Sequence, residues 1–137
     1  MRVVLDTNVF ISGIFWQGNF SSFVIDSWHC GKFILITSMK IIEELIQILR
    51  GFKIQMTEEV IEEWKNMITQ NSILVEPRIS LNIIKADHED NKFIEAAVEG
   101  NAEYIVSQDR HLLDLNGFKG ISIVNPEAFL KIIEEKI

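Results

Sequence analysis

Arg2-Val3-Val4-Leu5-Asp6-Thr7-Asn8 is the stretch on which the fold turns. Residues 2–5 form a short run that reads as a buried strand, and the run stops on an acid. Working outward, four more short runs rich in Ile and Val have the same character: 33–36, 73–75, 104–107 and 121–124. Between them lie helical patterns with recognisable ends. Ser21 or Ser22 starts a helix that runs to about Cys30 and stops at Gly31. Ser38 caps a helix over 39–50, closed by Gly51, and Thr57 caps one over 58–70. Asp87 caps a helix over 88–99, stopped by Gly100, and Pro126 opens a last helix to about 136. Gly13 to Asn19 reads as a loop.

Strands that are apolar on both faces and alternate with helices specify a parallel sheet covered on both sides. The expected fold is therefore α/β, a three-layer α/β/α sandwich with a central parallel sheet, built as one domain over residues 1–137. The chain is 47% hydrophobic, enough for a substantial core. No run reaches the roughly 18 to 20 apolar residues that span a bilayer. Arg2 precedes only three apolar residues before Asp6, unlike a signal peptide. A soluble, cytoplasmic protein with no membrane partner is the expectation. Cys30 stands alone, which excludes an internal disulfide and a thiolate metal cluster. The net charge of −7 argues against broad, non-specific nucleic-acid binding. It is compatible with an enzyme that grips a polyanion through a metal ion and a few local cations.

In a sheet of this kind ligands bind outside the carboxyl ends of the strands. Asp6 directly follows the first strand, and Asp109 comes two residues after the 104–107 strand. Asp90 lies in the first turn of the helix after the Lys85–Glu89 loop. Glu44 needs a helical wheel: Ile41, Ile42, Leu45, Ile48 and Leu49 make one face, while Lys40, Glu43, Gln47 and Arg50 make the other. Glu44 falls on the border and can lean toward a cleft; Glu43 is displaced toward solvent. Any one of these acids has an ordinary explanation as a turn, cap or solvated helix residue. Together they form a cluster that is stable only if it takes up protons or binds a cation. Carboxylate oxygens suit Mg²⁺ or Mn²⁺. Zinc does not fit one cysteine and three histidines without ligand spacing.

The segments Leu5-Asp6-Thr7-Asn8-Val9-Phe10-Ile11-Ser12, Thr37-Ser38 with Glu43-Glu44-Leu45, Asp87-His88-Glu89-Asp90-Asn91-Lys92-Phe93 and Ala102 through Asp109 occur in an order that resembles the PIN domain family. The tail, Leu112-Leu113 and Ile123-Val124-Asn125-Pro126, fits as well. The likeness is to the branch of toxin components of toxin–antitoxin systems, and it runs from Val3 to about Phe129. It implies a Mg²⁺- or Mn²⁺-dependent nuclease acting on single-stranded RNA, with an antitoxin protein and a second copy of the chain as candidate partners. It implies Asp6, Glu44, Asp90 and Asp109 as the four acids, with Asn8 and Ser107 as polar supports. Relatives often carry a further Asp at the position of His111. Lys40, Lys92, Arg110 and His111 are candidate phosphate contacts, or ordinary surface charges. Phe15 and Trp16, expected in the loop after the first strand, are candidates for base stacking or partner contact. Two other readings stand beside the nuclease. A haloacid-dehalogenase-like phosphatase also places Asp after its first strand, but wants a second Asp where Asn8 stands. A catalytically weak module acting through a protein partner would use Ile14-Phe15-Trp16 and Trp28.

Overall fold

The computed structural model describes residues 1–52, 54–81, 83–84 and 88–136. In chain order the elements are β1 Arg2–Leu5, α1 Thr7–Phe15, α2 Phe20–His29, β2 Ile34–Ser38, α3 Met39–Gly51, α4 Glu58–Gln70 and β3 Ser72–Val75. A single 3₁₀ turn, His88–Asp90, then leads into α5 Asn91–Glu99. The remainder is β4 Tyr104–Val106, α6 Arg110–Leu115, β5 Gly117–Phe118, β6 Ile121–Val124 and α7 Pro126–Lys136.

The strands form one sheet in the order β3-β2-β1-β4-β6-β5. All pairings are parallel except the short β5–β6 edge. Along β1, Val3 and Leu5 face one core while Val4 faces the other. Leu35 and Ile36 of β2 divide in the same way, as a period of two requires when both faces are covered. Residues of α1, α2, α3, α4 and α7 fill the first core, among them Phe10, Trp28, Leu45, Ile61 and Phe129. Phe93, Ile94, Ala96 and Ala97 of α5 and Leu112 of α6 fill the second. The three-layer α/β/α reading is therefore correct, with an antiparallel edge that the sequence did not announce. Among the described residues, no helix is long and apolar enough to cross a membrane.

Several boundaries differ from the expectations, each for a physical reason. Residues 13–15 are not loop: they complete α1, and Phe15 and Trp16 sit at its end. Gly13 is there for closeness rather than for a turn. A Cβ at Gly13 would lie 2.7 Å from Ile25 Cγ1 and 2.9 Å from the Ser21 carbonyl oxygen, so only glycine lets α1 and α2 pack this tightly. Asn19, not a serine, caps α2, accepting from the Ser22 amide at 2.8 Å. The second strand starts one residue late and runs on to Ser38, while Phe33 packs edge-on against Phe129. Ser38 and Thr57 cap α3 and α4 as expected. The helix expected over 88–99 begins as a 3₁₀ turn, which moves Asp90 from the first turn to the cap position of α5. Asp87, the expected cap, and Lys85 lie outside the described residues.

Candidate active site

Strand order reverses at β1, which has β2 on one side and β4 on the other. The chains leaving β1 and β4 therefore turn to opposite faces and open a crevice at their carboxyl ends. Asp6 and Ser107 are the first residues beyond those two strands. The Asp6 amide donates to the Val106 carbonyl at 2.9 Å, and the Ser107 amide to the Val124 carbonyl at 3.0 Å, so both backbones are fixed by the sheet.

Asp6 is only 3% exposed. One carboxylate oxygen, Oδ1, accepts from the Asn8 amide at 3.2 Å, which makes Asp6 the N-cap of α1. The other, Oδ2, accepts from Ser107 Oγ at 2.6 Å. Ser107 Oγ in turn accepts from the Asp109 amide at 2.8 Å. Asp109 Oδ1 accepts from the His111 amide at 2.7 Å and so caps α6. A chain of hydrogen bonds thus ties Asp6, Ser107 and Asp109 into one unit. Burial pushes the Asp6 carboxyl up from 3.8 to about 6, and the negative charges of Asp109 and Glu44 push in the same direction. The Ser107 and Asn8 hydrogen bonds oppose the rise without cancelling it.

Glu44, on α3, is half-buried, as its border position on the helical wheel predicts. It forms an ion pair with Lys92 of α5. Lys92, expected as a phosphate contact or an ordinary surface charge, is 6% exposed and therefore not a solvated surface cation. Its ammonium also donates to the Glu89 carbonyl at 2.8 Å and lies 3.7 Å from the Glu89 carboxylate. Asp90 is buried at the start of α5. Asn8 is exposed and reaches Asp6 through its backbone rather than its amide side chain. His111 likewise meets Asp109 through its backbone. Arg110 pairs with Asp114 on the exposed side of α6 at 3.9 Å. Lys40 lines an open cleft of about 470 Å³ together with Glu44, Lys92, Ser80 and Glu89.

The structure therefore brings Asp6, Ser107 and Asp109 into contact, places Glu44 within electrostatic reach of Asp6, and couples Glu44 to Lys92. Among the described residues, no three acidic, imidazole or thiol groups are gathered closely enough to hold an ion together. The chemistry nevertheless fits a hard divalent cation. The donors on offer are carboxylate oxygens, and burial raises the cost of the Asp6 charge, which a bound cation would offset.

Sequence reasoning missed the polar face of α5. Asn91 Oδ1 accepts from the amides of Ile83 and Ile84, and its Nδ2 donates to the Ile84 carbonyl. One turn on, Glu95 accepts from the Leu81 amide at 2.7 Å. A further turn on, Glu99 holds the backbone and guanidinium of Arg78. These three residues hold the segment after β3 against α5 and so shape one wall of the cleft. Their signal was the spacing i, i+4, i+8 of polar residues on an otherwise apolar helix.

Comparison with known proteins agrees with this architecture. The chain is 29% identical over 123 residues to the uncharacterised protein MJ1680 of Methanocaldococcus jannaschii, covering 84% of this chain and 75% of that one. Its fold is similar to that of a chain of VapBC2 from Rickettsia felis, solved bound to a DNA fragment from their promoter. There the TM-score is 0.62 with 12% identity over 91% of this chain and 98% of the other. It is also similar to a chain of FitAcB from Neisseria gonorrhoeae, with a TM-score of 0.54, 14% identity and the same coverage of 91% and 98%. The sequence model of the PIN domain matches residues 2–111, which takes in the sheet's first four strands, the Asp6–Ser107–Asp109 unit and the Glu44–Lys92 pair, and this chain belongs to the PIN domain family.

Proposed function

We propose that this protein is a Mg²⁺- or Mn²⁺-dependent endoribonuclease that hydrolyses phosphodiester bonds in single-stranded RNA, and that it is the toxin of a toxin–antitoxin pair. The observation that carries the reading is Asp6. A buried carboxylate, raised to about 6 by desolvation and by two neighbouring acids, is held at the point where the sheet order reverses. Such an arrangement opposes folding, and a site built to receive a cation accounts for it.

Asp6, Asp90 and Asp109 would hold the ion, with Glu44 beside them. Bound there, a divalent ion would polarise the phosphate and lower the pKa of the attacking water. Ser107 fixes the rotation of the Asp6 carboxylate and, by the same hydroxyl, the backbone of Asp109. The capping bonds from Asn8 and His111 hold the two aspartates at helix N-termini, where the positive ends of the helix dipoles favour their charged forms. Glu44, half-buried on the cleft side, would orient a water or accept its proton. Lys40, on the cleft wall, is a cation available to a phosphate.

The partner half of the reading is supported by the fold relatives VapBC2 and FitAcB. It also accords with an aromatic cluster that reaches the surface at one ring: Trp16 is 48% exposed and packs edge-on against half-buried Phe52, which stacks on half-buried Phe15. The phosphatase reading loses ground because position 8 is an asparagine where that chemistry needs a second carboxylate.

The test is cleavage of an unstructured RNA by purified protein with Mg²⁺, with Mn²⁺ and with EDTA, for wild type and Asp6→Asn. Cleavage that requires the metal and drops at least about 100-fold in the variant is the expected result. Equal cleavage by both proteins sinks the assignment of Asp6, and a metal-independent activity sinks the mechanism.

A further inference from the structure

Lys92 is a feature of the site that the hydrolytic mechanism does not use. An ammonium removed from water is costly unless it is paired and hydrogen-bonded. Here it has both: the Glu44 carboxylate, the Glu89 carbonyl at 2.8 Å and the Glu89 carboxylate at 3.7 Å, with the ring of Phe93 at 5.0 Å below. Lys92 is fixed on α5 while Glu44 comes from α3, so the pair joins two elements across the cleft. Glu44 is also the acid whose charge reaches Asp6 from that side.

Two-metal phosphodiester sites set their ions about 3.5–4 Å apart and need carboxylates to serve both. In this chain Glu44 is already neutralised by a resident cation. On the other flank, the next acid after Asp109 is Asp114, and it faces Arg110 on exposed surface. We infer that Lys92 is a positioning residue whose ammonium takes the place of a second metal ion, holding Glu44 back from coordination so that the protein binds one divalent cation, on the Asp6 side. This rests on the metal-nuclease reading above. It adds that Glu44 serves the ion without ligating it.

Calorimetric titration with MnCl₂, followed by electron paramagnetic resonance of the bound Mn²⁺, separates the outcomes. Wild type is expected to bind one Mn²⁺ per chain, with the spectrum of an isolated ion. Lys92→Met frees Glu44 and is expected to bind two, with a spin-coupled spectrum. Lys92→Arg keeps the charge and should bind one. Glu44→Gln should also bind one, with affinity within about threefold of wild type, since the carboxylate is not a ligand; this variant decides the matter even if Lys92→Met fails to fold. Two ions in wild type, a folded Lys92→Met that still binds one, or a loss of about 30-fold or more in Glu44→Gln overturns the inference. Two ions in a wild type that cleaves RNA overturns it alone. No bound Mn²⁺ and no cleavage in wild type defeats the nuclease reading, and this inference with it.

Discussion

Replacing Asp6 by asparagine should make the protein more stable, not less, at neutral pH. The Asp6 carboxyl is raised from 3.8 to about 6 by burial and by Asp109 and Glu44. That displacement is worth about 3 kcal/mol. Its sign follows from linkage: the folded state binds the proton more tightly than the unfolded chain does. The proton-linked stabilisation is therefore complete below about pH 3.8, falls as pH rises through about 6, and is absent above it. At pH 7.5 the wild type folds around an ionised, buried carboxylate, and the asparagine variant does not. The amide can still accept one hydrogen bond, from Ser107 or from the Asn8 amide, but not both well, which gives back about 1 kcal/mol. The net gain for Asp6→Asn is about 2 kcal/mol, or roughly 7 °C in Tm for a chain of this size. By pH 4.5 about 2 kcal/mol of proton-linked stability has returned to the wild type, and the two proteins should melt within about 1–2 °C of each other. The assay is urea and thermal unfolding in EDTA at both pH values, followed by the fluorescence of the three tryptophans. A variant less stable than wild type at pH 7.5, or an advantage equal at both pH values, would refute the reasoning.

Other changes probe the supports of the site. Ser107→Ala removes the donor that holds the Asp6 carboxyl down, so that carboxyl should titrate above 6 in an NMR pH series, with a stability loss of about 1–2 kcal/mol. Gly13→Ala forces a methyl to 2.9 Å from a backbone carbonyl that cannot move aside, and should lower stability by about 1–3 kcal/mol in urea unfolding. Asn91→Ala strips partners from the amides of Ile83 and Ile84, so hydrogen exchange should speed up at those two amides while the β1 amides stay protected.

The parallel sheet was legible because its central strands are short and apolar on both faces. In β1, β2 and β4 the neighbours Val3–Val4, Leu35–Ile36 and Ile105–Val106 each supply one residue to either core. Helix caps at Ser38 and Thr57 were legible for the same local reason, since a hydroxyl before a periodic apolar run satisfies an amide that the helix leaves free. What local reasoning lost was decided by distant partners. Gly13 looks like a loop residue until Ser21 and Ile25 are packed against it. Lys92 looks like a surface charge until α3 brings Glu44 to it. The β5–β6 edge has a strand of only two residues, too short to leave a periodicity.

The acids present the opposite case, because the ordinary explanation of Asp6 and Asp109 and the metal-ligand role proposed above call for the same geometry. Each was readable as a helix cap, and each is one: Asp6 accepts from the Asn8 amide and Asp109 from the His111 amide. In a parallel sheet the helix that follows a strand begins at the strand's carboxyl end, so its cap residue stands at the rim of the crevice. The helix N-terminus there carries free amides and the positive end of a dipole, which favour a carboxylate and make its charge easier to keep. A capping aspartate thus needs only burial and an acidic neighbour to become a candidate cation ligand. Burial is what distinguishes Asp6 from an ordinary cap, and the side chain that meets it there is Ser107, 101 residues away, rather than anything in the Leu5-Asp6-Thr7 stretch. The Asp-Thr-Asn motif is accordingly weak alone and informative when paired with a small hydroxyl residue after the fourth strand, whose hydrogen bond orients the carboxylate at the sheet's switch point while burial raises its pKa.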